Sequence, residues 1–152
     1  MRLAMFQPDI PQNLGAAIRL CACLGVGLDV IRPAAFPLDD RDLRRAAMDY
    51  ADHAEIILHT GWQAFRTARG GGRLILMTTR GATPLYDFAF RPGDTLLMGR
   101  ESAGVPDTVH DSADARICIA MAAGARSLNV VAAAAMALGE ATRQIGGSGF
   151  GD

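Results

Sequence analysis

The chain has 152 residues, half of them hydrophobic and one fifth charged, with a formal net charge of −1. Folding about 150 residues buries roughly 68–70% of the unfolded surface, so the length suits one self-sufficient domain, and the composition excludes a disordered chain. The near-neutral balance excludes a molecule whose overall field gathers polyanions, so a nucleic-acid site has to come from locally clustered cations.

In chain order, Leu3 to Phe6 reads as a short buried strand, and the two prolines of Gln7-Pro8-Asp9-Ile10-Pro11 break regular structure before a helix from about Gln12 to Leu24. Gly25 and Gly27 end that helix, Leu28 to Ile31 is a second strand, and Arg32-Pro33 is a turn. Asp39 or Asp40 is a candidate N-cap for a helix carrying Asp42, Arg44 and Arg45. Glu55 to Leu58 is strand-like, and a short helix spans Trp62 to Ala68.

The glycines Gly70 to Gly72 lead into Arg73 to Thr78, a continuous apolar strand of the kind buried on both faces. Two further strands, Thr95 to Met98 and Arg116 to Ala120, flank a short helical stretch after Pro106, and a long helix runs from about Leu128 to Ile145. Uniformly apolar strands alternating with helices predict an α/β domain with a mainly parallel sheet and helices on both faces. The expected domain is 1–146, with a frayed tail at 147–152. Ligands of such sheets bind beyond the carboxyl ends of the strands, which directs attention to the loops after Thr78, Met98 and Ala120.

The longest strongly apolar tract, Val130 to Leu138, falls far short of the ~20 residues that cross a bilayer, and the N-terminus lacks a signal-peptide pattern, so a cytosolic protein without a membrane partner is expected. Cys21, Cys23 and Cys118 are an odd number in a chain without export features and read as thiols. Cys21-Ala-Cys23 is not a zinc spacing. All fifteen basic residues are arginine, which genomic base bias explains better than a preference for bidentate phosphate contacts.

Three segments carry chemistry. Gly99-Arg100-Glu101-Ser102-Ala103-Gly104-Val105-Pro106 has glycines spaced somewhat like a phosphate loop but lacks the lysine and hydroxyl that must follow, and no Gly-x-Gly-x-x-Gly follows the first strand. Ala125-Arg126-Ser127-Leu128-Asn129 places Ser127 as an N-cap and puts Asn129 one turn inside an apolar helix, where its side chain needs a polar partner. Asn13-Leu14-Gly15-Ala16-Ala17-Ile18-Arg19 sets Arg19 nearly two turns beyond Asn13, among apolar neighbours. An exposed helix face and a functional cation both remain open for it.

Together, Asn13-x-Gly15-x-x-x-Arg19, Gly99-x-Glu101-x-x-Gly104 and Ser127-Leu128-Asn129 resemble, in order and spacing, the three motifs of the SPOUT class of knotted RNA methyltransferases. The opening Phe6 to Gly15 and the stretch Leu43 to Tyr50 resemble, within that class, the group that methylates the 2′-hydroxyl of the tRNA wobble nucleotide, C or modified U at position 34. The resemblance covers residues 1 to 146. It implies a C-terminal deep trefoil knot, a homodimer, and S-adenosyl-L-methionine as methyl donor with S-adenosyl-L-homocysteine as product and no metal. It also implies the tRNA anticodon stem-loop as partner, with leucine isoacceptors as the expected substrates.

On the same resemblance, the cofactor is held around Met77, Thr78, Gly99, Gly104, Ile119, Met121, Ser127 and Leu128. Arg19, Glu101, Ser127 and Asn129 are the catalytic set. A guanidinium is a poor base, so Arg19 is assigned to positioning the ribose and phosphate, with Glu101 and Asn129 holding neighbouring backbone and that arginine. Candidate RNA contacts are Asn13, Arg41, Arg44, Arg45, Tyr50 and Arg126, for which a solvated charged face is the alternative. The chain departs from the family in having Ala120 where proline is common and Val131 where a serine or another small residue is common; both touch loop geometry and spare the motif residues. Methylation of another tRNA position or of ribosomal RNA, and a catalytically silent RNA binder, are the competing functions.

Overall fold

The computed structural model describes residues 1–39, 41, 50, 55–80 and 83–146. The elements are β1 (Arg2–Phe6), α1 (Pro11–Leu24), β2 (Gly27–Ile31), β3 (Ile56–His59), α2 (Trp62–Ala68), β4 (Leu74–Met77), β5 (Thr83–Pro84), β6 (Thr95–Met98), α3 (Asp107–Asp111), β7 (Ala115–Cys118) and α4 (Val130–Ile145). A 3-10 turn, Leu85–Asp87, follows β5. The strands form one sheet in the order β3-β2-β1-β6-β4-β7-β5, and every pairing between them is parallel.

Alternation along the strands sends neighbouring side chains to opposite faces, and both faces are apolar. Leu3 and Met5 of β1 join Leu28, Val30, Leu96 and Met98 under Leu14 and Ile18 of α1 and Ala134 and Leu138 of α4. Ala4 and Phe6 join Leu74, Leu76 and Leu97 under Phe65 of α2 and Val109 of α3. The sheet therefore has helices on both sides, as its continuous apolar strands predict.

Helix α1 begins with Pro11 in its first turn, where the missing N–H costs nothing, and ends on Gly25 at φ 62. Its buried residues Leu14, Ala17, Ile18 and Cys21 recur at helical spacing. The one acid buried inside β2, Asp29, takes Arg2 Nε at 2.6 Å and His59 Nε2 at 2.7 Å, so its charge is paired across three strands.

The structure corrects two local expectations. Asn129, not Ser127, caps the last helix: its Oδ1 accepts from Val131 N at 2.9 Å and Ala132 N at 3.2 Å, and the helix starts at Val130. The reason is conformational, since Asn129 sits at φ −54, ψ 136, outside the helical basin, so the polar group expected one turn inside stands at the end. The strand expected over Arg116 to Ala120 runs Ala115–Cys118, and β5 with its 3-10 turn went unread because two residues carry no periodicity. Arg41 is helical, but Asp40, Asp42, Arg44 and Arg45 lie outside the described residues, as does the expected tail from 147 onward.

Candidate functional site

β1 sits where the connections reverse: the chain leaves it toward β2 and β3 on one side, and β6, β4 and β7 lie on the other. In register, Met5 and Met77 both face Met98, so the carboxyl ends of these strands are flush. Ligands of open parallel sheets bind at such a reversal. A cleft of about 650 Å³ opens there, walled by the loop after β4, the loop after β6 and the irregular segment between β7 and α4. That volume lies in the range of small-molecule sites, roughly 300–1,000 Å³.

The loop after β6 is closed on itself by Arg100 N–H to Gly104 O and Gly104 N–H to Arg100 O, each 2.9 Å. Gly104 has φ 67, and a Cβ on Gly99 would lie 2.7 Å from the Gly104 carbonyl carbon, so this crossing requires glycine at both places. Glu101 emerges from the closed turn. Its Oε1 accepts from Asn13 Nδ2 at 3.0 Å, and Asn13 Oδ1 in turn accepts from Asn129 Nδ2 at 3.0 Å. A single hydrogen-bonded chain thus links all three sequence segments, and Asn129 both caps α4 and ends that chain.

Asp9 faces the same loop. Its Oδ1 accepts from Glu101 N at 3.1 Å and its Oδ2 from Ser102 N at 3.3 Å and from the Ser102 hydroxyl, while its own N–H donates to Glu101 Oε2 at 3.2 Å. Hydrogen bonding from Glu101 and Ser102 holds the Asp9 carboxyl well below the usual carboxylate range, against the opposing effect of burial. Burial, followed by the neighbouring Asp9, pushes Glu101 upward. The two carboxyls titrate as a pair.

All eight residues expected at the cofactor line this cleft: Met77, Thr78, Gly99, Gly104, Ile119, Met121, Ser127 and Leu128. Glu101, Asn129, Asn13 and Arg126 line it as well. Arg19 does not. It is exposed on α1, its guanidinium carbon 5.2 Å from the centroid of the Tyr50 ring, and the hydrogen bonds of Glu101 and Asn129 go to Asn13 instead of holding the arginine. Arg41 is exposed and Tyr50 half-buried, both away from the cleft walls.

Sequence reasoning missed Asp9, Arg100 and His110. Asp9 stands between two prolines, a placement that signals a rigid loop but not its partner. Arg100 Nε lies 3.6 Å from Asp9 Oδ2. His110, on α3, lines the cleft with Arg116 Nε donating to its Nδ1 at 3.2 Å, while its Nε2 is buried without a partner. Nothing in the spacing of the sequence brings these residues together.

A parallel α/β domain with a glycine-closed loop, a half-polar cleft at the topological reversal and a Glu101–Asn13–Asn129 chain beside it has the layout of a small-molecule site. The chain belongs to the SpoU rRNA Methylase family, whose model matches residues 1–139. It is 57% identical to a tRNA (cytidine(34)-2'-O)-methyltransferase of Beijerinckia indica, over 95% of this chain and 91% of that one. The Escherichia coli protein of the same name is 36% identical over 96% of this chain and 94% of its own. A structure solved for insights into 2-OH methylation of C/U34 on tRNA superposes with a TM-score of 0.87 at 41% identity, covering 94% of each chain. The SpoU methyltransferase AviRb of Streptomyces viridochromogenes, solved with AdoMet, gives 0.79 at 29%, over 95% of this chain and 60% of that one.

Proposed function

We propose that this protein transfers the methyl group of S-adenosylmethionine to the 2′-hydroxyl of the wobble nucleotide of tRNA, recognising the anticodon stem-loop. The observation that carries this reading is the convergence of Asn13, Glu101 and Asn129, one residue from each of the three motifs, on one cleft, where a hydrogen-bonded chain ties them. Relatives named for cytidine 34 at 57% identity favour the wobble position over a ribosomal target, for which the likeness to an rRNA methyltransferase of Sinorhizobium meliloti stands at 26%.

The residues present fit the cofactor. Met77, Met98, Ile119 and Leu128 offer an apolar wall for an adenine ring, and the backbone between β7 and α4 belongs to no helix or strand, so its N–H and C=O groups are not committed to a ladder. The buried, unpartnered His110 Nε2 also awaits a partner there. When bound, the cofactor supplies a methyl carbon on a sulfonium leaving group: the ribose oxygen–carbon bond forms, the sulfur–carbon bond breaks with its electrons going to sulfur, and the hydroxyl proton passes to solvent.

The protein's part is orientation, an effect that reaches about 7–11 kcal/mol at its extreme. Glu101, Asn13 and Asn129 fix the walls of the cleft. Arg19, too weak a base to take the proton, binds a phosphate or steadies charge on the ribose oxygen, and Arg126 meets RNA at the cleft mouth. Because Arg19 lies outside its own cleft, the reading includes a homodimer in which α1 of one protomer faces the cleft of the other. It also includes a C-terminal trefoil knot within a single catalytic domain over residues 1–146, no metal, and action in the cytosol on leucine tRNAs.

The test is transfer of labelled methyl from S-adenosylmethionine to total tRNA, with nucleoside mapping and Arg19→Ala alongside. Label confined to the ribose of nucleotide 34, and lost in the variant, is expected. Absence of label from tRNA, with label appearing in ribosomal RNA supplied in a parallel reaction, would refute the tRNA assignment.

A further inference from the structure

We propose that Asp9 is a positioning residue for the transfer reaction: its carboxylate latches the Gly99–Gly104 loop across the topological reversal and holds Glu101 where it meets Asn13. The inference rests on reading this cleft as the S-adenosylmethionine site.

The segment that carries Asp9 is anchored on the β2 side. Gln7, at φ 46, donates its N–H to Ile31 O at 2.8 Å, and Pro8 O accepts from Ala35 N at 3.1 Å. A non-glycine residue in the left-handed region costs free energy and persists where its surroundings enforce it. With Pro8 and Pro11 limiting its freedom, the segment is a rigid arm reaching from β1 toward β6.

On the other side, three successive loop residues converge on one carboxylate. Glu101 N–H reaches Oδ1 at 3.1 Å, Ser102 N–H reaches Oδ2 at 3.3 Å with the Ser102 hydroxyl on the same oxygen, and Arg100 Nε lies 3.6 Å away. The Asp9 N–H returns a bond to Glu101 Oε2 at 3.2 Å. The paired Arg100–Gly104 bonds give the loop its shape but leave its tilt against the sheet open. Asp9 and Asn13 supply that tilt, one through the backbone of the loop and the other through the Glu101 side chain. A carboxylate that accepts several N–H groups does so with charge-assisted bonds, roughly twice as strong as neutral ones. The side chain is only 10% exposed, so water cannot readily substitute.

The expected consequence is a change in ligand affinity, beyond any change in stability. Calorimetric titration with S-adenosylhomocysteine should show Asp9→Asn binding about tenfold more weakly than the native protein, because the amide presents a donor to one of the N–H groups the carboxylate accepted. A carbon-13 titration of the Glu101 carboxyl should move to lower pH in the same variant, since the negative neighbour is gone while burial remains. Asp9→Asn and Glu101→Gln combined should cost no more than the worse of the two, as expected of residues acting through one another. Ser102→Ala, which trims one bond to the same carboxylate, is the milder second variant and should lose about threefold.

Affinity within twofold of native in both Asp9→Asn and Ser102→Ala, or an unmoved Glu101 titration in folded Asp9→Asn, overturns the proposal while the cofactor assignment stands. A native protein that does not bind S-adenosylhomocysteine removes both.

Discussion

Asn129 serves two structures through the two ends of one amide. Its oxygen closes the first turn of α4, and its nitrogen donates to Asn13. Replacing an N-cap asparagine by alanine costs about 0.5–2 kcal/mol. Asn129→Ala should therefore lower the thermal midpoint and also weaken S-adenosylhomocysteine binding, whereas Ser127→Ala, which removes no cap, should leave the midpoint in place. Differential scanning calorimetry of the two variants distinguishes them; an equal fall in both would return the cap to Ser127. The sequence signalled a polar residue at this junction and its need for a partner. It did not tell which of Ser127 and Asn129 stood outside the helical basin, because both are good caps and the choice depends on how the preceding loop delivers the chain.

At the scale of elements, α4 approaches the sheet through small side chains. Ala133, Ala134, Ala137 and Ala141 are buried with Leu138 along one stripe. Close approach brings the end of α4, and with it Asn129, against α1 and the cleft. Ala137 has no exposed surface, and overpacking a filled core position typically costs about 1–3 kcal/mol. Ala137→Leu is accordingly expected to lower the unfolding free energy by an amount in that range, read as a lower denaturant midpoint at unchanged slope, and to reduce affinity in the cleft, as the helix shifts outward. An unchanged midpoint with native affinity would mean that the sheet face tolerates the larger side chain. The periodicity of this helix was legible in the sequence, as were β1, β2, β4 and β6 to within a residue or two, because long apolar patterns dominate local alternatives. The two-residue β5 was not legible, since it exists only by pairing with β7.

For the whole molecule, Arg19 lies on the exposed stripe of α1 with Gln12, Ala16 and Cys23, while α4 exposes Ala132, Met136 and Gly139. Small and apolar residues on the outer face of a helix suit a self-complementary two-fold contact. Sedimentation velocity should find a species of twice 16.1 kDa. Met136→Arg should shift it toward the monomer and reduce methyl transfer while preserving helical circular dichroism. A fully active monomer would refute the proposed sharing of Arg19 between protomers.

What the sequence determined by itself follows from local physics and from pattern: an α/β domain with apolar parallel strands, helices of the observed kind, and three motifs whose order and spacing resemble those of a known family, a resemblance that implied eight residues now found lining the cleft. These were readable because burial on both faces writes continuous apolar runs, and because a loop that must cross itself requires glycine. The tertiary structure decided the rest. Asp9 and Ser102 are 93 positions apart, and only the reversal of strand order at β1 brings them to hydrogen-bonding distance. The same reversal sets Asn13 between Glu101 and Asn129 and leaves Arg19 facing outward, since a helix anchored to the sheet by Leu14 and Ile18 has one face left for solvent or for a partner.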